Sequence, residues 1–149
     1  MVDFSSDIAK VSDKIILALT IYGESRGESI EGQIAVGCVI RNRVMGEKKN
    51  YRDICLENKQ FSCWNRDDPN YIVLGNICVK INNNAGSFID RDFNQISYLT
   101  TGIMMNYIID NTHGALNYLS KNLYYSHNIP LWAKNKPIQM IGNQIFLTA

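Results

Sequence analysis

The sequence predicts a mainly helical α+β fold closed by a small C-terminal β-hairpin. Residues 15–21 form an apolar run broken only by Thr20, residues 30–44 are apolar around much of a helical circumference, and two short alternating runs flank Gly142-Asn143 near the end of the chain. A long apolar stretch with helical spacing reads as a buried helix. Alternating runs on either side of a Gly-Asn pair read as a hairpin with a two-residue turn. At 149 residues the chain matches one domain, residues 1–149, with enough length to enclose a hydrophobic core.

The first helix runs from about Ile15 and ends at Glu24. A polar turn follows, relaxed by Gly27, and Ser29 caps a second helix from Ile30 to Val44 with Glu31 in its first turn. Gly32 and Gly37 inside that helix imply the close approach of another backbone. Residues 46–52 read as a polar loop, Asp53 as the cap of a short turn through Asn58, and residues 60–65 as the approach to a loop at 66–69. Asn70 then caps a helix over Tyr71–Ile81, residues 82–91 are the least structured stretch, and a helix over Phe93–Ile109 is ended by residues 110–114. The last third mixes aromatic and polar residues before the hairpin over 138–147.

Fifteen Lys and Arg against fourteen Asp and Glu leave a formal charge of +1, with no basic run, which gives a nucleic-acid partner no electrostatic support. The apolar run at 15–21 is too short to span a bilayer, and acids precede it where a signal peptide would be basic. The expectation is a chain made in the cytoplasm without an export signal of its own, and a monomer. The four cysteines, Cys38, Cys55, Cys63 and Cys78, form no Cys-x-x-Cys and read as reduced core thiols. With only His113 and His127, and no His-Glu-x-x-His, neither a metal site nor a cofactor is expected.

Glu24 is the residue with the most chemical promise. It ends an apolar helix, where the negative end of the helix dipole and apolar neighbours both disfavour charge, as suits a general acid that protonates a leaving oxygen. Arg26 works against this if it turns toward the carboxylate. Glu28 and Glu31 fit structural roles at the start of the next helix.

Several ordered blocks resemble one family. Glu24-Ser25-Arg26-Gly27-Glu28 with Glu31-Gly32-Gln33-Ile34-Ala35-Val36 and Asn42-Arg43-Val44 resembles the opening block of the SleB/CwlJ-like cell wall hydrolases, which include spore-cortex-lytic enzymes. Gln60-Phe61-Ser62-Cys63-Trp64 is similar to the family's Gln-Phe-Ser segment, and Asp110-Asn111-Thr112-His113-Gly114-Ala115-Leu116-Asn117-Tyr118 to its Asp-Pro-Thr-x-Gly-Ala-x-His-Tyr segment. Pro130-Leu131-Trp132-Ala133-Lys134 and Ile141-Gly142-Asn143-Gln144-Ile145-Phe146 match its closing pieces. The resemblance implies a compact lysozyme-like or lytic-transglycosylase-like domain that cleaves peptidoglycan glycan strands between N-acetylmuramic acid and N-acetylglucosamine. It also places the family's catalytic glutamate on Glu24. The chain departs from the pattern at Asn117 and Gln144, where the family commonly has His, and at Asn111, where it has Pro.

The candidate cleft residues are Gln60, Phe61, Ser62, Trp64, Asn117, Tyr118 and Trp132: amides and hydroxyls for acetamido groups and sugar hydroxyls, aromatics for stacking on sugar faces. A second carboxylate is not obvious, although Asp67, Asp68 or Asp110 are available from distant parts of the chain. Besides the glycan-cleaving reading, a cysteine-dependent amidase or peptidase would use Cys55 or Cys63 with His113 or His127, and a non-catalytic relative would keep the aromatics alone. Wall lysis of the phage type, or action on spore cortex, is the setting these features suggest.

Overall fold

A computed structural model describes residues 2–84 and 89–148. In chain order it contains α1 (Ser5–Lys10), α2 (Asp13–Ser25), α3 (Ile30–Glu47), α4 (Tyr51–Leu56), α5 (Pro69–Asn82), α6 (Arg91–Met104), β1 (Asn117–Ser120), α7 (Lys121–Tyr124), β2 (Ile138–Ile141) and β3 (Gln144–Leu147). Short 3-10 turns occupy Ser62–Trp64 and Leu131–Ala133. The fold is therefore mainly helical with a small C-terminal antiparallel sheet, as the apolar patterning requires.

The centre of the molecule is α2. Every residue from Ile16 to Tyr22 is buried, and the helix packs against α3, α4, α5, α6 and the Ser62–Trp64 turn. Each of Ile16, Leu17, Leu19 and Ile21 is fully enclosed, contributing about 1.5–3 kcal/mol by removal from water. Thr20, the one polar residue in the run, is satisfied: its hydroxyl donates to the Ile16 carbonyl at 2.7 Å and accepts from Trp64 Nε1 at 2.9 Å.

Several helix ends differ from the sequence expectation, and local hydrogen bonds explain each. Ser12 accepts from the Ile15 amide, so α2 starts at Asp13. The supposed loop at 46–52 contains the end of α3, closed by Lys48 in a left-handed conformation, and the start of α4. Asn50, not Asp53, caps α4, accepting from the Asp53 amide at 2.8 Å. Likewise Asp68, not Asn70, caps α5 through the Asn70 amide, with Pro69 at the first helical position. The helix expected to reach Ile109 stops at Met104. Asn106 there adopts φ 59°, and the buried Arg41 holds the Ile103 and Ile108 carbonyls at 3.0 and 2.9 Å, fixing the chain in a turn. Of the expected irregular stretch at 82–91, residues 85–88 lie outside the described residues, while Asn82 ends α5 and Arg91 opens α6. At Gly37 it is side chains rather than a backbone that approach: an added Cβ would collide with Ile103 Cδ1 and crowd Ile21 Cδ1 at 3.1 Å.

The expected hairpin is present, with β2 and β3 joined through Gly142, which takes φ 57°. β1, which the sequence did not announce, adds to the other edge of β3, giving the order β1-β3-β2. Side-chain alternation then sorts the residues. Tyr118 lies opposite Phe146 and faces the helical core with it, their ring centroids 5.5 Å apart. Leu119, Ile145 and Leu147 point the other way, into a smaller apolar cluster with Ala133.

The turn that delivers β1 is organised by Asp110. Its carboxylate accepts four hydrogen bonds, from the Thr112 amide and hydroxyl, Asn42 Nδ2 and the Gly114 amide, at 2.6–2.9 Å. Burial alone would push this carboxyl up, but the donors outweigh it and hold it below the ordinary value. A depressed carboxyl stabilises the fold above its unfolded-state pKa, and that contribution fades as pH falls through the folded value. Asp110→Ala is therefore expected to cost about 1 kcal/mol at neutral pH, after allowance for solvent screening. In urea titrations the gap between wild type and variant should close as the pH is lowered below about 4.

Candidate active site

Glu24 occupies the last turn of α2 and points across to β1 and the Ser62–Trp64 turn. Oε1 accepts from the Tyr118 hydroxyl at 2.9 Å, and Oε2 accepts from the Cys63 amide at 3.3 Å and the Ser62 hydroxyl at 3.4 Å. The carboxylate is thus held by three donors from two other segments. Gly23 makes this possible: a Cβ there would lie 2.7 Å from Cys63 Cβ and 2.9 Å from its sulfur, so only glycine lets the turn lie against the helix end. The sequence reading passed over Gly23, although a glycine inside an apolar helix is the mark of such close packing.

Arg26 does not turn toward Glu24. It bonds back to the Tyr22 carbonyl at 3.2 Å and lies over the Tyr22 ring, closing the helix C-terminus. The following turn is held by Gln33, which is buried and directs Nε2 at the carbonyls of Ser25, Arg26 and Glu28 at 3.3–3.4 Å. Glu28 meets Gln144 Nε2 at 3.5 Å, bringing the hairpin against the α2–α3 turn.

The candidate cleft residues divide into two groups. Tyr118 and Ser62 touch Glu24 directly. Gln60 and Asn117 lie beside them, joined through Arg43, whose Nη1 donates to Gln60 Oε1 at 3.3 Å and Nη2 to Asn117 Oδ1 at 3.0 Å. With Tyr118 and Trp132 these residues border a cavity of about 430 Å³. Trp132 is 47 % exposed there and free to stack on a ligand.

Phe61 and Trp64 are corrections. Phe61 is only 2 % exposed, in the core, with the Arg43 guanidinium 5.3 Å from its ring centroid, so its ring has no face left for a sugar. Trp64 turns inward, spends its indole N–H on Thr20, and lines a different cavity with α1 and Tyr71. Phe61 is core packing next to the site, and Trp64 faces the α1 side of the molecule rather than the cavity bordered by Trp132.

Arg43 is the residue the sequence reading left without a role. Besides the two amides, its Nε donates to the Leu116 carbonyl at 2.6 Å, so one side chain of α3 fastens the segments before and within β1 to the Gln60 loop. Burial pushes the guanidinium down from its ordinary value. The available signal is the polar triplet Arg41-Asn42-Arg43 that follows the apolar stretch of α3.

Of the distant acids, Asp68 is occupied as the α5 cap and Asp110 by its turn. Among the described residues, no other carboxylate shares a donor with Glu24. All four thiols are free and buried. Burial pushes Cys55 and Cys78 up to about 12 and Cys38 to about 11, and both burial and the adjacent Glu24 push Cys63 higher still. His113 and His127 are exposed, and neither bonds to a thiol among the described residues. This arrangement does not make a cysteine nucleophile.

A helical domain with a carboxylate fixed by three donors beside a polar cleft that carries an exposed tryptophan has the make-up of an enzyme site for a polar ligand. The chain belongs to the Cell Wall Hydrolase family, whose model matches residues 27–147. It is accordingly an enzyme that acts on peptidoglycan, and no helix among its described residues is long and apolar enough to cross a membrane. The match opens just past Glu24, so that residue stands on its geometry. The catalytic domain of the germination-specific lytic transglycosylase SleB from Bacillus anthracis has a similar fold. The likeness covers 93% of this chain and 98% of that one, with a TM-score of 0.60 at 22% identity. No curated protein matches the sequence.

Two outcomes follow from this geometry. Gly23→Ala should lower the urea midpoint by the equivalent of about 1–3 kcal/mol, the usual cost of overpacking, and should lower wall-clearing activity in the fraction that remains folded, because Cys63 must move off Glu24. Iodoacetamide at pH 8 should react with the native thiols far more slowly than with those of the urea-unfolded chain, leaving wall-clearing activity unchanged.

Proposed function

We propose that the chain cleaves peptidoglycan glycan strands between N-acetylmuramic acid and N-acetylglucosamine, with Glu24 as general acid, by lytic transglycosylation. The supporting observation is the Glu24 carboxylate, held by Tyr118, Ser62 and the Cys63 amide, while Asp68 and Asp110 are engaged in turns of their own. An inverting hydrolase needs a second carboxylate to activate water, and a retaining one needs it as nucleophile. A transglycosylase needs neither.

In this reading Glu24 gives its proton to the glycosidic oxygen, and the C1–O bond breaks as the leaving sugar departs with that proton. The muramoyl acetamido oxygen supports the positive charge that develops at C1. The sugar's own 6-hydroxyl then closes on C1, and its proton returns to Glu24, yielding the 1,6-anhydro product and restoring the acid. The three donors at Glu24 stabilise the carboxylate during the interval when it has lost its proton. Gln60 and Asn117 offer amides to the substrate's hydroxyl and acetamido groups, and Trp132 offers a stacking face.

Folded Glu24→Gln protein is expected to lose about 10²–10⁴-fold of its activity on purified cell walls, the usual worth of a positioned acid. Mass spectrometry of the digest should show anhydro-muramic ends. Reducing muramic ends would convert the reading to a hydrolase, and released stem peptides or an undiminished Glu24→Gln variant would end it.

A further inference from the structure

The cleft wall beyond Tyr118 carries three cationic side chains, none of them in an ion pair among the described residues. Arg43, Lys59 and Lys136 line the cavity of about 430 Å³ beside Asn117, Tyr118 and Trp132, and no acidic side chain lines it among the described residues. The three hydrogen bonds of Arg43 all end on neutral oxygens, those of Leu116, Gln60 and Asn117. The ion pairs among the described residues are Lys49–Glu47, Arg52–Asp13 and Arg66–Asp3, and none involves a cation of this cavity. Glu47 and Glu57 line an adjoining cavity that shares Arg43, Gln60 and Asn117 with this one, and they act on Arg43 through space without hydrogen-bonding to it.

Removing a guanidinium partly from water without a counter-charge is costly, and the cost is recovered when an anion arrives. Arg43 has five N–H donors and uses three, leaving two within a rigid, planar fork suited to a carboxylate. Lys59 sits on a backbone at φ 61°, a left-handed posture that fixes the bend of the chain at the cavity rim. Trp132 places a sugar-stacking face at the same cavity.

We propose that this cavity binds a carboxylate carried on the muramoyl side chain of the substrate, so that the enzyme selects glycan strands bearing that charge over neutral ones. The proposal rests on the glycan-cleaving reading above. The carboxylate has two sources: the free lactyl group of a strand stripped of its peptides, or the acidic residues of an attached stem peptide. Both present a carboxylate, the lactyl group directly on the sugar ring and the stem peptide farther out, past the amide that consumes the lactyl carboxyl.

Binding is measured by calorimetry in the Glu24→Gln background, where chemistry does not consume the ligand. Three glycans of equal length are compared: peptide-stripped strands, peptide-bearing strands and neutral N-acetylglucosamine oligomers. The charged strands should bind more tightly than the neutral one, and 0.5 M salt should narrow the difference. Adding Lys59→Gln and Lys136→Gln should weaken the charged ligands about tenfold, the size of two partly exposed ion pairs, and leave the neutral ligand unchanged. Lys→Arg at both positions should restore affinity. The charged strand that loses more on the Gln substitutions identifies the source of the carboxylate. Equal affinity for charged and neutral glycans, or a loss that is the same for all three, overturns the proposal while leaving Glu24 catalysis intact. Failure of every glycan to bind overturns the glycan-cleaving reading with it.

Discussion

Burial of α2 on all sides is the constraint from which the site follows. A helix whose residues Ile16–Tyr22 are enclosed by four other helices and a turn cannot shift or rotate without opening the core. The side chain at its end inherits that rigidity. Glu24 is consequently aimed by the packing of residues up to two turns earlier, and Gly23 brings its donors close enough to hold it. The opposite wall is aimed by a separate rule: the alternation of β1 puts Tyr118 on the same face as Phe146, and thus toward the helices.

Arg43 connects these two halves. Its guanidinium ties α3 to the β1 segment and the Gln60 loop with bonds to Leu116, Gln60 and Asn117 while it lies near the Phe61 ring. That arrangement accounts for the burial of Phe61, because the ring serves as the floor on which the guanidinium is seated. A charged side chain in this position fixes the cleft wall through three bonds to neutral oxygens.

Much of this was legible in the sequence where a pattern is local. The apolar run at 15–21 and the circumferential apolarity of 30–44 require buried helices, and Gly142-Asn143 between alternating runs requires a turn. What escaped notice depends on partners remote in sequence. Asn117-Tyr118-Leu119-Ser120 is too short to read as a strand until β3 pairs with it from residues 144–147. The polar stretch at 46–52 reads as loop by composition, yet Asn50 starts a helix there because Ile54 and Cys55 have a core to enter. In the candidate site, Tyr118, Ser62, Gln60 and Asn117 lie together because their blocks converge in space. Aromatics suited to a sugar face are equally suited to a core, and it is the burial of Phe61 and the inward hydrogen bond of Trp64 that separate the two.

The amides at 117 and 144, where the related family commonly has imidazoles, fit a site whose polarity does not change with pH. Asn117 Oδ1 accepts from Arg43, and Gln144 Nε2 donates to Glu28. An amide presents fixed acceptor and donor ends, whereas an imidazole near pH 6.5 exchanges an acceptor for a donor when it takes up a proton. Beside Arg43 such an exchange would turn an attraction into a repulsion between two cations and release the wall of the cleft. With Asn in that position the Arg43 bridge is indifferent to pH.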